Sequence, residues 1–234
     1  MNTAVNVAAG ATLQSGGDAL LQAFHSGQYD TTAEVTVYGG GTAGVAGSNT
    51  TNAITSTVLA QLNAVRMAED AATVTVRARD TSTIESFAGS VAVGGTGGGG
   101  AAIALNFLGR TATEADSSKQ VKAEVLNSNL KSGGAVLVQA LSSSSIDSMA
   151  IAVGVGGSAA VTGANTTNWL EDEITATWSG GSLYGSGNSL TVQAQDGASV
   201  ETLASNVSAS GSAAVGAALA VNKVGSAVLA NLSG

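Results

Sequence analysis

The chain has 234 residues, yet it contains no proline or cysteine, 32 glycines, only 10% charged and 3% aromatic residues, and a formal net charge of −8. Against a globular norm of roughly 25% charged residues, this mix excludes an aromatic-rich core, a disulfide framework and a clustered basic surface for nucleic acid. What the 44% hydrophobic residues, dominated by Ala and Val, do permit is a thin core made by stacking many passes of chain.

The opening segment, MNTAVNVAAGATL, has neither the charged start nor the apolar run of a signal peptide. With the closing VLANLSG it is expected to be a cut end within a longer protein. Residues 13–23, LQSGGDALLQA, reappear as LKSGGAVLVQA at 130–140 and, less closely, as YGSGNSLTVQA at 184–194. His25 is the single histidine, and no G-x-S-x-G elbow accompanies it, so it is expected at a surface or strand edge and not in a triad. A small length change is expected near Tyr29 to Tyr38, before the landmarks Gly41, Thr42 and Asn52, which return as Gly95, Thr96 and Asn106.

Three segments then align without gaps, TVRARDTSTIESFA (75–88), LVQALSSSSIDSMA (137–150) and TVQAQDGASVETLA (191–204), at shifts of 62 and 54 residues. Each leads into a Gly/Ala-rich stretch ending in Asn106, Asn168 or Asn222. Arg77 and Arg79 alternate as on a solvated strand face. Ile84, Ile146 and Val200 are expected to stack inward, as are Phe87, Met149 and Leu203. The recurring carboxylates Glu85, Asp147 and Glu201 are expected to form a solvated ladder of separate charges. GGTGGGGAA (94–102) lacks the Lys-Ser/Thr of a phosphate loop, so close backbone packing is expected. The Gly-rich stretches hold no Asp, unlike calcium-binding nonapeptides.

After Asn106 an extra polar stretch carries Gly109, Arg110, Thr111, Glu114, Asp116 and Lys119, and it is expected to bulge as a loop from one face. Glu171, Asp172 and Glu173, following Trp169 and Leu170, are expected on an isolated surface turn, with a weak cation site as the residual reading. The charge-free stretches 86–109, 148–170 and 202–222 are diluted by Gly, Ser, Thr and Asn. Their period of two suits strands better than membrane spans.

The expected fold is therefore all-β, a parallel β-solenoid with repeats of about 54 to 62 residues. The units run roughly over 19–72, 73–134, 135–188 and 189–234 of a single continuous body. Periodicity leaves open whether a unit is three rungs, two, or one wide rung. V-x-A segments followed by GGSAAVTGAN or GSAAVGAALAVN, then by VKAEVLNSNLKSGG or ITATWSGGSLYGSGN, resemble the repeats of leukotoxin-like adhesins of the filamentous-haemagglutinin group, exported by two-partner secretion. That resemblance implies a right-handed parallel β-helix on, or released from, a Gram-negative cell surface. It carries no functional residue across.

The function expected is structural and adhesive: a rigid rod whose partners are host or bacterial surface glycans or proteins, with end-to-end self-association. No catalytic, metal or cofactor-binding residue is assigned, no cofactor, nucleic acid or membrane span is expected, and the chain is not read as an enzyme. A polysaccharide-acting β-helix enzyme would need clustered acid/base and aromatic residues beyond Trp169 and Trp178. An ice- or surface-binding solenoid would need Thr ladders more regular than Thr50, Thr51, Thr166 and Thr167.

Overall fold

The computed structural model describes residues 2–39, 41–110, 119–185 and 189–234, which form strands and turns with no helix. The chain opens with β1 (Asn2–Val7) and the short β2 (Thr12–Leu13). A first pass follows: β3 (Ala19–His25), β4 (Gln28–Gly39), β5 (Ala43–Ile54), β6 (Thr57–Asn63) and the short β7 (Arg66–Met67). The second pass is β8 (Val74–Asp80), β9 (Thr83–Gly94), β10 (Gly97–Leu108) and β11 (Lys119–Lys131). In the third, β12 (Ala135–Ser142) and β13 (Ser145–Gly156) lead into one long strand, β14 (Ala159–Tyr184). The fourth is β15 (Ser189–Asp196), β16 (Ser199–Ser210) and the equally undivided β17 (Ala213–Ser233).

Every pairing between these strands is parallel and joins one pass to the next. A short sheet is ordered β15-β12-β8-β3, a middle sheet β16-β13-β9-β4, and a wide sheet carries β5, β10, β14 and β17 in its first half and β1, β6, β11, β14 and β17 in its second. A repeat unit is therefore one wide pass through all three sheets. Asn52, Asn106, Asn168 and Asn222 lie directly above one another at separations of 54, 62 and 54 residues.

Two lobes result. In the thick lobe the short sheet faces the second half of the wide sheet, and Val58, Val76, Val121, Val138, Ile174 and Trp178 fill the space between them. In the thin wing the middle sheet faces the first half of the wide sheet across alanines such as Ala88, Ala102, Ala150 and Ala164. Ile54, Ile84, Leu108, Ile146 and Leu170 plug the junction. Glycine sets the thinness: a Cβ on Gly98 would lie 2.2 Å from the Val155 carbonyl oxygen, and one on Gly44 would lie 2.3 Å from that of Val93. Main chains touch there, as expected for the Gly-rich stretches.

With no room inside, the thin wing turns its larger residues out. Ser90, Ala92, Ala102 and Asn106 are buried, whereas Val45, Val161 and Val215 are 74%, 59% and 62% exposed on the outer face. Ile84 and Ile146 are fully buried with Val200 in register beneath them, as expected. Phe87, Met149 and Leu203 also stack in register, but facing outward, with Leu203 52% exposed. The expectation that they point inward is corrected by parity: three residues along a strand from Ile84 is the opposite face.

The length change expected near Tyr29 to Tyr38 falls just past that segment: Gly39 pairs with Gly94 and Ala43 with Gly97, so the extra residue lies between Gly39 and Ala43. The insertion's residues 111–118, including Thr111, Glu114 and Asp116, lie outside the described residues. Among the described residues no helix is long and apolar enough to cross a membrane.

Candidate functional site

Two polar arrays lie inside the coil and one lies on its outer face. The first is an amide ladder in the thin wing. Asn52 Nδ2 donates to Asn106 Oδ1 at 2.8 Å, Asn106 Nδ2 to Asn168 Oδ1 at 2.8 Å, and Asn168 Nδ2 to Asn222 Oδ1 at 2.9 Å. Hydroxyls of the middle sheet accept the second hydrogen of each amide: Thr31 for Asn52, Ser86 for Asn106 and Ser148 for Asn168. A buried amide without partners is costly; stacking identical residues satisfies each from its neighbours. This is the physical content of the repeated Asn in the sequence.

The second array is ionic and sits where the short sheet turns toward the middle sheet. His25, Asp80, Ser142 and Asp196 form one inward column at the ends of β3, β8, β12 and β15. Lys119 and Asp172 are paired neighbours in the facing column. Lys119, without solvent exposure, places Nζ 3.0 Å from Asp80 Oδ1, 3.0 Å from Asp172 Oδ2 and 3.0 Å from Ser142 Oγ, and also bonds Ser144 Oγ. His25 Nδ1 is 2.9 Å from Asp80 Oδ2, and the Ser82 amide donates to Asp80 Oδ1 at 2.9 Å.

The two carboxylates differ in electrostatics. Burial pushes Asp80 up, but the Lys119 charge and hydrogen bonds from Ser82 and Lys119 outweigh it and leave Asp80 below its ordinary value. Burial also pushes Asp172 up, and there the Lys119 charge and the Ser142 hydrogen bond do not compensate, so Asp172 stays above its ordinary value, with Asp196 adding repulsion. Asp172 Oδ1 is buried with no hydrogen-bond partner.

Asp172 thus departs from the surface turn expected of it, and His25, expected at a surface or strand edge, ends the edge strand β3 but with its side chain turned inward. His25 is 8% exposed in the interior, and Asp172 is buried within β14 while Glu171 and Glu173 alternate outward. The run 171–173 is continuous strand and not a turn. Lys119, expected on the bulging loop, starts β11 with its side chain inside. One signal for the cluster was present in the aligned segments: Asp80, Ser142 and Asp196 share the parity of Val76, Val138 and Val192, a charged position on an apolar face. The partner, Lys119, carried no such signal because it follows an insertion with no counterpart in the other passes.

Chemically the cluster is an ion-pair centre. Its lysine occupies the position a bound cation would take among carboxylates, and among the described residues no three or more His, Cys, Asp or Glu side chains form a group that would hold a metal ion. Asp80, Ser144 and Lys119 have no exposed surface for a substrate to approach.

Outside, the expected ladder gains a fourth member. Asp30, Glu85, Asp147 and Glu201 are consecutive neighbours across the middle sheet. They line a shallow groove shared with Phe87, Met149 and Leu203. Arg77 and Arg79 lie on the outer face of β8, Arg77 donating to Gln139 and Arg79 lying over Phe24. Trp169 is partly exposed between Arg110 and Lys223, whose charged groups lie 3.8 and 4.5 Å from its ring, whereas Trp178 is buried in the thick lobe. Of the threonines, Thr50 and Thr166 point inward and only Thr51 and Thr167 outward, where their columns are broken by Leu105 and Val221. No family model, curated protein or solved structure matches the chain.

Proposed function

We propose that this chain is a right-handed parallel β-solenoid serving as a structural and adhesive segment of a secreted or surface-exposed bacterial protein, akin to the repeats of filamentous-haemagglutinin-type adhesins. The observation that carries this reading is where chemistry is spent. The most concentrated charge is sealed inside, around Lys119, where it fixes the stacking of passes. The outer face of the middle sheet carries a feature that recurs in all four passes, the carboxylate ladder from Asp30 to Glu201, and the wide sheet exposes Val45, Val161 and Val215 in one column interrupted by Gly99. Each further pass lengthens such a surface by about 4.8 Å. Affinity then grows with the number of passes and does not depend on one pocket.

Binding of the purified chain to immobilised host-cell glycans and to bacterial surface polysaccharide tests this directly. Saturable retention without change to the polymer is the expected result. Shortening of the polymer, measured as new reducing ends, would overturn the reading in favour of a lyase or glycosidase.

A further inference from the structure

The thin wing has two outer faces, and they differ in charge. The middle-sheet face carries the carboxylate ladder from Asp30 to Glu201. The wide-sheet face, from Ala43 to Asn49 in β5 and at the positions paired with them in β10, β14 and β17, carries no charged side chain. It has instead a relief that runs down the stack. A ridge of Val45, Val161 and Val215 stands beside a furrow of Gly47, Ala101, Gly163 and Ala217, and beyond the furrow Ile103 and Leu219 rise again. Ala101, Gly163 and Ala217 lie along the groove between. A Cβ added at Gly163 would meet nothing within 4 Å, so the floor of the furrow is empty within one copy.

We propose that this face packs on the same face of a second copy, as a two-fold dimer with the two stacks side by side. The relief selects that occupant because it fits itself. Ridge and furrow are adjacent outward positions, about 6.6 Å apart along each strand. A two-fold axis running along the stack, midway between them, turns each ridge onto the other copy's furrow: Val45 faces Gly47, Val161 faces Gly163 and Val215 faces Ala217. The same axis carries the flanking columns into the same large-on-small match, with Ile103 against Gly97 and Leu219 against Ala213. Self-complementarity of this kind is what a closed, isologous pair requires.

Charge and area agree with the choice. Two acidic chains meet on this face without burying a charge, whereas pairing through the middle-sheet face would set one carboxylate ladder against another. Four columns crossing four strands, about 6.6 Å and 4.8 Å apart, outline about 500 Å² on each copy. The pair therefore covers about 1,000 Å² before the relief of the side chains is counted, which is the size at which an interface becomes specific. The matched columns cross the inner strands β10 and β14, so the fit is a property of the sheet face and not of its edges.

Sedimentation equilibrium of the purified chain across a wide concentration series tests this. The expected result is reversible growth from one copy to two, strengthened by salt because screening relieves the repulsion between chains of net charge −8. Gly163→Leu fills the furrow from a position with open space in its own copy. Its circular dichroism spectrum and its melting temperature at low concentration should hold, while the dimer dissociation constant rises about tenfold or more. Adding Val161→Ala reopens the space opposite the new leucine, reproducing the Leu219 and Ala213 match, and should bring the constant back toward the parent's. Retention of the Gly163→Leu monomer on glycan tests the adhesive reading separately. A parent that stays monomeric throughout, association indifferent to Gly163→Leu, or a double variant no tighter than the single one overturns the dimer.

Discussion

The thick lobe and the thin wing are made by the same passes, in the same register, yet they solve burial in opposite ways. In the thick lobe Val, Leu and Ile point in and polar residues point out. In the thin wing Ala, Ser, Thr and Asn point in, and much of the Val and Ile points out. The distance between facing sheets decides which. Where glycine lets main chains touch, nothing larger than a methyl group or a short polar side chain fits, and the apolar side of the alternation is left outside. Period-two patterning identifies a strand but not its inner face; side-chain volume does that.

The sharpest way to break the contrast is at the seam between the lobes. Lys119→Met leaves Asp80 and Asp172 buried without their cation and should cost about 3–5 kcal/mol, seen as a fall in the denaturation midpoint. In the thick lobe, Leu130→Ala opens a cavity and should cost about 2–5 kcal/mol. In the thin wing the opposite change is the damaging one: Ala102→Leu has no space to enter and should cost about 1–3 kcal/mol or more, whereas an unchanged melt would show that the wing can open.

Smaller effects come from pH. Asp172 lies above its ordinary value, so its contribution to stability is complete below the unfolded aspartate range and is lost as pH rises through its higher folded value. Asp80 lies below, so its contribution is present above that range and is lost as pH falls through its lower folded value. Relative to the parent, Asp172→Asn should therefore fare better at pH 7 than at pH 3, and Asp80→Asn worse; parallel trends in thermal melts would contradict the assigned electrostatics. The smallest effect is expected on the outer valine column, where Val161→Ser should shift stability by no more than about 0.5 kcal/mol while weakening any surface binding.

Much of this architecture was legible in the residues themselves. The repeated segments 75–88, 137–150 and 191–204 stack in register, and the recurring Asn marks a hydrogen-bonded ladder. The number of rungs per unit was not legible, because strands of eight, twelve and twenty-six residues joined by turns of about two leave the same period as several shorter rungs. Phe87 was misplaced because hydrophobicity was allowed to outvote parity. The ionic cluster escaped because its members come from six strands, with bonded partners such as His25 and Asp80 or Lys119 and Ser142 separated by 55 and 23 residues, and charged side chains such as Asp172 look solvated when only their sequence neighbours are considered.

The vertical alignment of like residues bears on inheritance as well as on stability. Because each pass meets the next through aligned columns, duplicating or deleting one whole pass keeps amide on amide along the asparagine column, although deleting the second pass would remove Lys119 and leave Asp172 buried without its cation. A copying error of half a pass instead sets the Ala-lined inner face of the wing against a sheet built to receive Val and Leu. Whole-pass changes in length therefore keep the asparagine column continuous, whereas half-pass changes break it. Lengthening of the protein requires no new folding solution at any step.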